Sequence, residues 1–422
     1  MFALNNNSVN LVTFTDGERY PLLIDSRGFP LWCPTLFATT QVRNASKAPN
    51  TIVAVLSAIR VLIAWEQNHE VDVEARFSKR LFLNEQEMES LCRFAQAKSS
   101  EQESQKQDVI RISRLQEASR KSVRVAEKRV STSTQYIRIS YIADYLEWLA
   151  VRLVEREAKQ VDGGTHAMID RMAKSLRKRR PIKVRGSTVS ARKGLTEHQQ
   201  ELLLELIKKG SENNPFSQEL QGRNQLMVLL LYYLGMRAGE LLALRISDFD
   251  LQQNTVLIAR RHDNLDDPRA NQPVVKTADR RIPLAAPLVN AITNYILQER
   301  VKTMAAKRHD FLFVTHRVGP FEGQPLSIKG LAKVFSEIQS AMPDELGGLT
   351  PHILRHTAND RFSVLMDQKG AGEAEEEKLR SYLMGWKEGS GTAATYTRRH
   401  TEMKAKEAAL MLQSRNRKGS NG

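Results

Sequence analysis

Apolar residues recur along most of the chain at helical spacing, and strand-like alternation is confined to a few short runs. Val9 to Phe14 and Tyr20 to Ile24 alternate as short strands, with turn residues at Asp16-Gly17 and Arg27-Gly28. After Lys47-Ala48-Pro49, Asn50 is placed to cap a helix whose apolar stripe is Ile52, Val55, Leu56, Ile59, Leu62 and Ile63. Asn84 to Ala97 predicts another helix. Residues 99–130 are polar and rich in Arg, Lys and Gln, the pattern of a solvated helix or of an arm laid against DNA. Ser131 to Ser133 then cap a helix with Ile139, Ile142, Leu146, Leu149 and Leu153 on one face. A helical domain over 46–170 follows, preceded by a small appendage, 1–45, with little core of its own.

The second half is mixed. Thr196-Glu197 opens a helix from Leu195 to Lys209, and Gln225 to Leu234 is apolar all round, as a buried central helix would be. Thr255 to Ala259, Gln272 to Val275 and Arg280 to Leu284 predict strands of one small sheet. Helices are expected at Ala286 to Arg300, Ser327 to Met342, His352 to Leu365 and Lys378 to Met384. A helical tail from Glu402 to Leu412 and a disordered end, 413–422, complete the chain. The fold class is mainly α with a small antiparallel β-sheet in the C-terminal domain, 195–412.

Composition narrows this picture. A chain of 422 residues is too long for one ordinary core, and 41% hydrophobic with 26% charged residues is globular. Only Cys33 and Cys92 are present, which excludes a disulfide framework and a cysteine-rich zinc site. The sequence shows no basic leader before an apolar core in Met1 to Leu11 and no run of ~20 apolar residues, so a cytoplasmic protein without a membrane partner is expected. The net charge of +15 fits a polyanionic partner such as nucleic acid. Part of that charge is concentrated in 171–194, where Arg171, Lys174, Arg177, Lys178, Arg179, Arg180, Lys183, Arg185, Arg192 and Lys193 occur without an acid. Pro181 and Gly186 break helices there, so a flexible basic linker suited to DNA phosphates is expected.

Three constellations carry chemistry. In Leu234-Gly235-Met236-Arg237-Ala238-Gly239-Glu240, Arg237 and Glu240 share a helical face between apolar segments, where a guanidinium needs a carboxylate or a bound anion. In Thr350-Pro351-His352-Ile353-Leu354-Arg355-His356, an imidazole and a guanidinium three residues apart stand at a helix N-terminus, which suits a phosphate. His352 and His356 also have metal-ligand spacing, but no third ligand is evident, and no metal is expected. The third is Gly385-Trp386, with Tyr396 ten residues on.

Taken in order, these segments resemble the tyrosine recombinase (phage integrase) family. The likeness covers about 195–412 and, more loosely, the helical domain that opens at Pro49-Asn50-Thr51-Ile52. It takes in Gly235-Met236-Arg237 with Glu240, His352 and Arg355, Gly385-Trp386 and Tyr396. It also includes Lys276 in Val275-Lys276-Thr277-Ala278-Asp279-Arg280-Arg281-Ile282-Pro283-Leu284, matching the family's hairpin lysine and the basic strand after it. Trp386 stands where most members have histidine, the hairpin is lengthened around Arg261 to Asn271, and Gly370 to Glu377 reads as a solvated loop insertion or else a protein contact. The spacing from Trp386 to Tyr396 is one residue longer than the family's.

The resemblance implies a site-specific DNA recombinase that works without metal or other cofactor. Arg237 and Arg355 would clamp the phosphate, with Glu240 supporting Arg237. Tyr396 would attack to form a 3′-phosphotyrosine, Lys276 would protonate the leaving 5′-hydroxyl, His352 would act as base or hydrogen-bond partner, and Trp386 would pack beside the phosphate. Double-stranded DNA, a homotetramer on paired sites and companion recombinases or a directionality factor are the implied partners, and integration, excision or transposition of a mobile element the implied setting. A type IB topoisomerase shares the constellation, and a catalytically silent DNA-binding regulator is the reading from another class.

Overall fold

The structure, a computed structural model, describes residues 7–45, 49–98, 129–158, 162–182, 194–261, 264–273, 275, 277–389, 393, 405 and 408–413. The chain divides into two compact units, Met1–Arg185 and Gly186–Gly422.

In the first unit, β1 (Ser8–Thr13) and β2 (Arg19–Ile24) form an antiparallel hairpin, with Ser8 opposite Ile24 and Thr13 opposite Arg19. Asp16 and Gly17 make its turn, the Asp16 carboxylate accepting from the Glu18 amide. Among the described residues the α-helices that follow are α1 (Trp32–Phe37), α2 (Pro49–Asn68), α3 (Val73–Ser78), α4 (Glu85–Gln96), α5 (Thr132–Ala158) and α6 (Gly163–Lys178). α2 starts on Pro49, one residue before the expected Asn50 cap, because proline's fixed φ and missing N–H suit the first helical position. α4 has a reciprocal cap, the Asn84 side chain accepting from the Glu87 amide and the Glu87 carboxylate from the Asn84 amide, both at 2.9 Å.

The expected appendage shares its core with these helices. Tyr20, Leu23, Phe37 and Val42 lie in one cluster with Ile52, Leu56, Ile59 and Leu62 of α2 and Ile142, Leu146 and Leu149 of α5. Each such side chain contributes about 1.5–3 kcal/mol by leaving water. α2 is long and apolar enough by length and composition to cross a bilayer. Its apolar face, from Ile52 to Trp65, is instead spent on this core.

α6 continues to Lys178, through residues expected to form a flexible linker. Ile169, Met172, Ala173 and Leu176 extend its buried stripe, which keeps the helix intact. Two arginines of the run find acids on other helices: Arg177 pairs with Asp144 at 2.6 Å and Glu147 at 2.5 Å, and Arg179 with Glu85. Residues 183–193, and the polar stretch 99–128, lie outside the described residues.

The second unit contains α7 (Glu197–Leu206), α8 (Gln218–Leu234), α9 (Ala238–Ala243), α10 (Ala286–Asn294), α11 (Ile328–Ala341), α12 (Pro343–Leu346), α13 (Pro351–Gln368) and α14 (Glu373–Met384). Its sheet is antiparallel, ordered β3 (Phe249–Asp250), β4 (Thr255–Ile258), β5 (Arg280–Pro283), with Val256 facing Phe249 and Ile282. Gln272, Pro273 and Val275, the described residues of the expected third strand, are not in the sheet. The Gln272 side chain closes a loop on the Asn264 carbonyl at 2.6 Å, Pro273 has no N–H to offer a ladder, and Phe249–Asp250 pairs instead. The lengthened hairpin is fastened by Arg269, which is bonded to the Leu242 and Leu326 carbonyls at 3.0 and 2.8 Å.

The acidic stretch before Lys378 is helix, not a solvated loop insertion. Glu373, Glu375 and Glu376 fill the first turn of α14, where the helix dipole favours carboxylates. Glu376 is buried, paired with the fully buried Arg380, and accepts from Ser363 of α13 at 3.0 Å. α13 and α14 are thereby joined through their interiors.

Candidate active site

α8 is buried because its apolar residues surround it, and it ends where Gly235 takes a left-handed φ of 59°. A Cβ at Gly235 would also stand 3.0 Å from Ala358 Cβ and Met384 Cε. That turn delivers Arg237 to the start of α9. The Arg237 amide donates to Glu240 Oε2 at 3.1 Å, and its guanidinium, one-third exposed, to Glu240 Oε1 at 3.4 Å. The Arg237 side chain is thus partly open to solvent.

Glu240 is the junction. Fully buried, it accepts from Thr277 Oγ1 at 2.7 Å and Arg280 Nη2 at 2.9 Å, and Arg355 Nη1 lies 4.0 Å away. Burial pushes the carboxyl group's pKa up. The charges of Arg280 and Arg355, with the Thr277 and Arg280 hydrogen bonds, outweigh burial and hold it below the usual carboxylate range. One ionised carboxylate is shared by three guanidiniums.

Arg355 lies on α13, whose first turn is set by the Thr350 cap and Pro351. Its guanidinium is 2% exposed, donates to the Gly235 carbonyl at 2.6 Å and the Met384 carbonyl at 3.0 Å, and lies 5.2 Å from the Trp386 ring centroid. The turn after α8, α13 and the end of α14 therefore meet on one side chain. Gly385 closes α14 with φ 63°, and its carbonyl accepts from the Ala278 amide at 3.2 Å, joining the Gly-Trp element to the hairpin.

Arg237, Glu240, Arg355 and Trp386 are brought together. His352 stands exposed one turn before Arg355, its ring 4.4 Å from that of His356. Among the described residues there is no cluster of three or more His, Cys, Asp or Glu able to hold a metal. Lys276 and Tyr396 lie outside the described residues, although Thr277, the next residue after Lys276, is buried and bonded to Glu240.

Of the basic residues expected at DNA, Lys178 is exposed, whereas Arg177 and Arg179 carry the ion pairs already described. Arg180 lies 4.8 Å from the Tyr136 ring centroid and donates to the Arg177 carbonyl. Lys183 and Arg185 are outside the described residues.

Sequence reasoning missed Arg280 and Thr277 as partners of Glu240. The signal was present: alternation along Arg280–Pro283 puts Arg280 on the same face as Ile282, hence inward, with Arg281 outward.

A family model described as the phage integrase family matches residues 193–403, half of the chain. The chain belongs to the phage integrase family. Tyrosine recombinase XerD of Halalkalibacterium halodurans is 30% identical over 166 residues, 39% of this chain and 46% of that protein. Transposase A from transposon Tn554 of Staphylococcus aureus is 27% identical over 168 residues, 38% of this chain and 43% of that protein. The chain thus spans about half the length of these relatives. Among solved structures, XerH site-specific recombinase bound to palindromic difH substrate aligns over 90% of this chain and 94% of that one, at 16% identity and a TM-score of 0.42.

Proposed function

We propose that this protein is a site-specific DNA strand transferase that cleaves and rejoins double-stranded DNA in the integration, excision or transposition of a mobile element. The observation that carries the reading is the cluster itself: Arg237 and Arg355, 118 positions apart in the chain, reach the same buried carboxylate beside Trp386. Guanidinium forks match the non-bridging oxygens of a phosphodiester. Preorganised donors of this kind contribute roughly 3–4 kcal/mol each to a charged transition state.

In the proposed step the Tyr396 oxygen attacks phosphorus, a P–O(Tyr) bond forms and the P–O5′ bond breaks. The phenolic proton passes to His352 or to solvent, and Lys276 protonates the departing 5′-oxygen. The product is a 3′-phosphotyrosine and a free 5′-hydroxyl. Attack by the 5′-hydroxyl of a second strand reverses the bonding and joins the DNA to a new partner. The bond energy is conserved in the phosphodiester, so the reaction needs no nucleotide cofactor.

Exposed Leu410, Met411 and Leu412 on the helical stretch 408–413 support docking of the tail on a neighbouring subunit, as in a homotetramer on paired sites. Companion recombinases or a directionality factor would act on that assembly. The exposed Lys178, with Lys183 and Arg185, is proposed to contact DNA phosphates.

The test uses nicked duplexes enriched from a randomised-sequence pool on the wild-type protein. Wild type is expected to become covalently attached to the DNA, leaving a 5′-hydroxyl strand, while Tyr396→Phe binds without attachment. Attachment by Tyr396→Phe, or none by wild type, contradicts the reading. Relaxation of supercoils without intermolecular joining would redirect it to a topoisomerase.

A further inference from the structure

We infer that Arg280 is a positioning residue for strand transfer, fixing Glu240, and through it Arg237 and Arg355, against the end of α14. The inference rests on the strand-transfer reading and goes beyond it. The Arg280 side chain is 1% exposed, so it acts through its neighbours and not on DNA.

Its donors run to three elements. Nη2 reaches Glu240 Oε2 on α9 at 2.9 Å, Nη1 reaches Thr277 Oγ1 in the hairpin at 3.0 Å, and Nε reaches the Leu383 carbonyl in the last turn of α14 at 2.7 Å. Thr277 follows Lys276 directly, and Leu383 lies three residues before Trp386. One rigid, planar fork therefore sets the spacing between the elements that carry the first arginine, the hairpin lysine and the Gly-Trp turn. A lysine in its place has three donors on a flexible stem and no fixed fork.

The surrounding packing is shaped to this guanidinium. A Cβ at Gly385 would stand 2.6 Å from Arg280 Nη1 and 2.8 Å from Thr277 Cβ, so the turn after α14 closes directly on the Arg280–Thr277 pair. Glu240 is faced by Arg237 from its own turn, by Arg280 and Thr277 from the hairpin, and by Arg355 from α13. Of these, Arg280 is the strongest attraction keeping the buried carboxylate ionised. Its loss would favour a protonated Glu240, which no longer holds Arg237 by charge.

The experiment compares Arg280→Lys and Arg280→Met with wild type on the enriched nicked duplexes. It follows single-turnover covalent attachment between pH 6 and 8, DNA binding and thermal unfolding. Both variants are expected to bind DNA as wild type does. Attachment should slow about 100-fold in Arg280→Met and about 10-fold in Arg280→Lys, the scale of a misplacement near 1 Å. Arg280→Met should also lose rate more steeply than wild type toward acid, as Glu240 takes up a proton; a role in folding alone would leave that profile unchanged. Attachment at the wild-type rate by either variant overturns the inference. Loss of attachment that follows loss of folded protein in both variants also overturns it. Failure of wild type itself to attach strikes the strand-transfer reading, so the two failures are distinguishable.

Discussion

At Gly385 the backbone stands at φ 63°, and an added Cβ would meet Arg280 and Thr277 inside 3 Å. A left-handed alanine costs about 1–2 kcal/mol, and forcing a methyl group into packed surroundings about 1–3 more. Gly385→Ala should therefore lower the stability of the second unit by about 2 kcal/mol or more, read by urea denaturation, and on the proposed reading slow DNA attachment with it. An unchanged midpoint would mean that the turn does not press on Arg280. Glu240 makes a second residue-scale prediction. Its pKa is depressed in the folded protein, so its stabilising contribution is present above the ordinary carboxylate range and is lost as pH falls through the folded value. Glu240→Gln should remove that contribution and flatten the acid limb of the stability curve.

At the scale of elements, caps and buried stripes decide where helices begin and continue. Asn84→Ala removes one half of the reciprocal cap of α4 and should cost about 1 kcal/mol in the first unit, measured by urea denaturation. α2 carries a different signal. Burial pushes Glu66 up to about 7, against the hydrogen bond it accepts from the Val73 amide at 3.1 Å, with Glu74 and Asp72 adding repulsion. The folded state then holds a proton that the unfolded chain has released above the ordinary carboxylate range. Stability from this group is greatest at acid pH and declines as pH rises through about 7. The first unit should melt at higher temperature at pH 5.5 than at pH 8, and Glu66→Gln should erase most of that difference.

Much of this scale was legible, because helical periodicity and caps are local: Asn84, Ser131 and Thr196 stand where helices were expected to open. The acidic stretch and the first part of the basic run were misread because a charge run does not show which side chains will fold against it, near or far in sequence. Glu376 is neutralised by Arg380 and bonded to Ser363, and Arg177 finds Asp144 and Glu147 on another helix. Composition alone shows a charge run but not the side chains that answer it.

At the scale of the whole molecule, three of the motifs meet, bringing Arg237 with Glu240, Arg355 and Trp386 together, while Arg280 was hidden in a strand read only for its basic character. On the proposed reading DNA binding should be salt-dependent, because contacts to 6–10 phosphates would lower affinity about 10³–10⁵-fold between 50 and 200 mM salt. Within that dependence, Lys178→Ala should reduce the slope by about one. Arg177→Ala should mainly loosen α6 from α5, because its guanidinium is committed to Asp144 and Glu147. The most direct measurement is peptide mapping by mass spectrometry of the covalent protein–DNA complex after nuclease digestion. A nucleotide joined through its 3′-phosphate to the Tyr396 peptide is the expected result; a nucleotide on any other residue, or a 5′-phosphate linkage, would contradict the assignment.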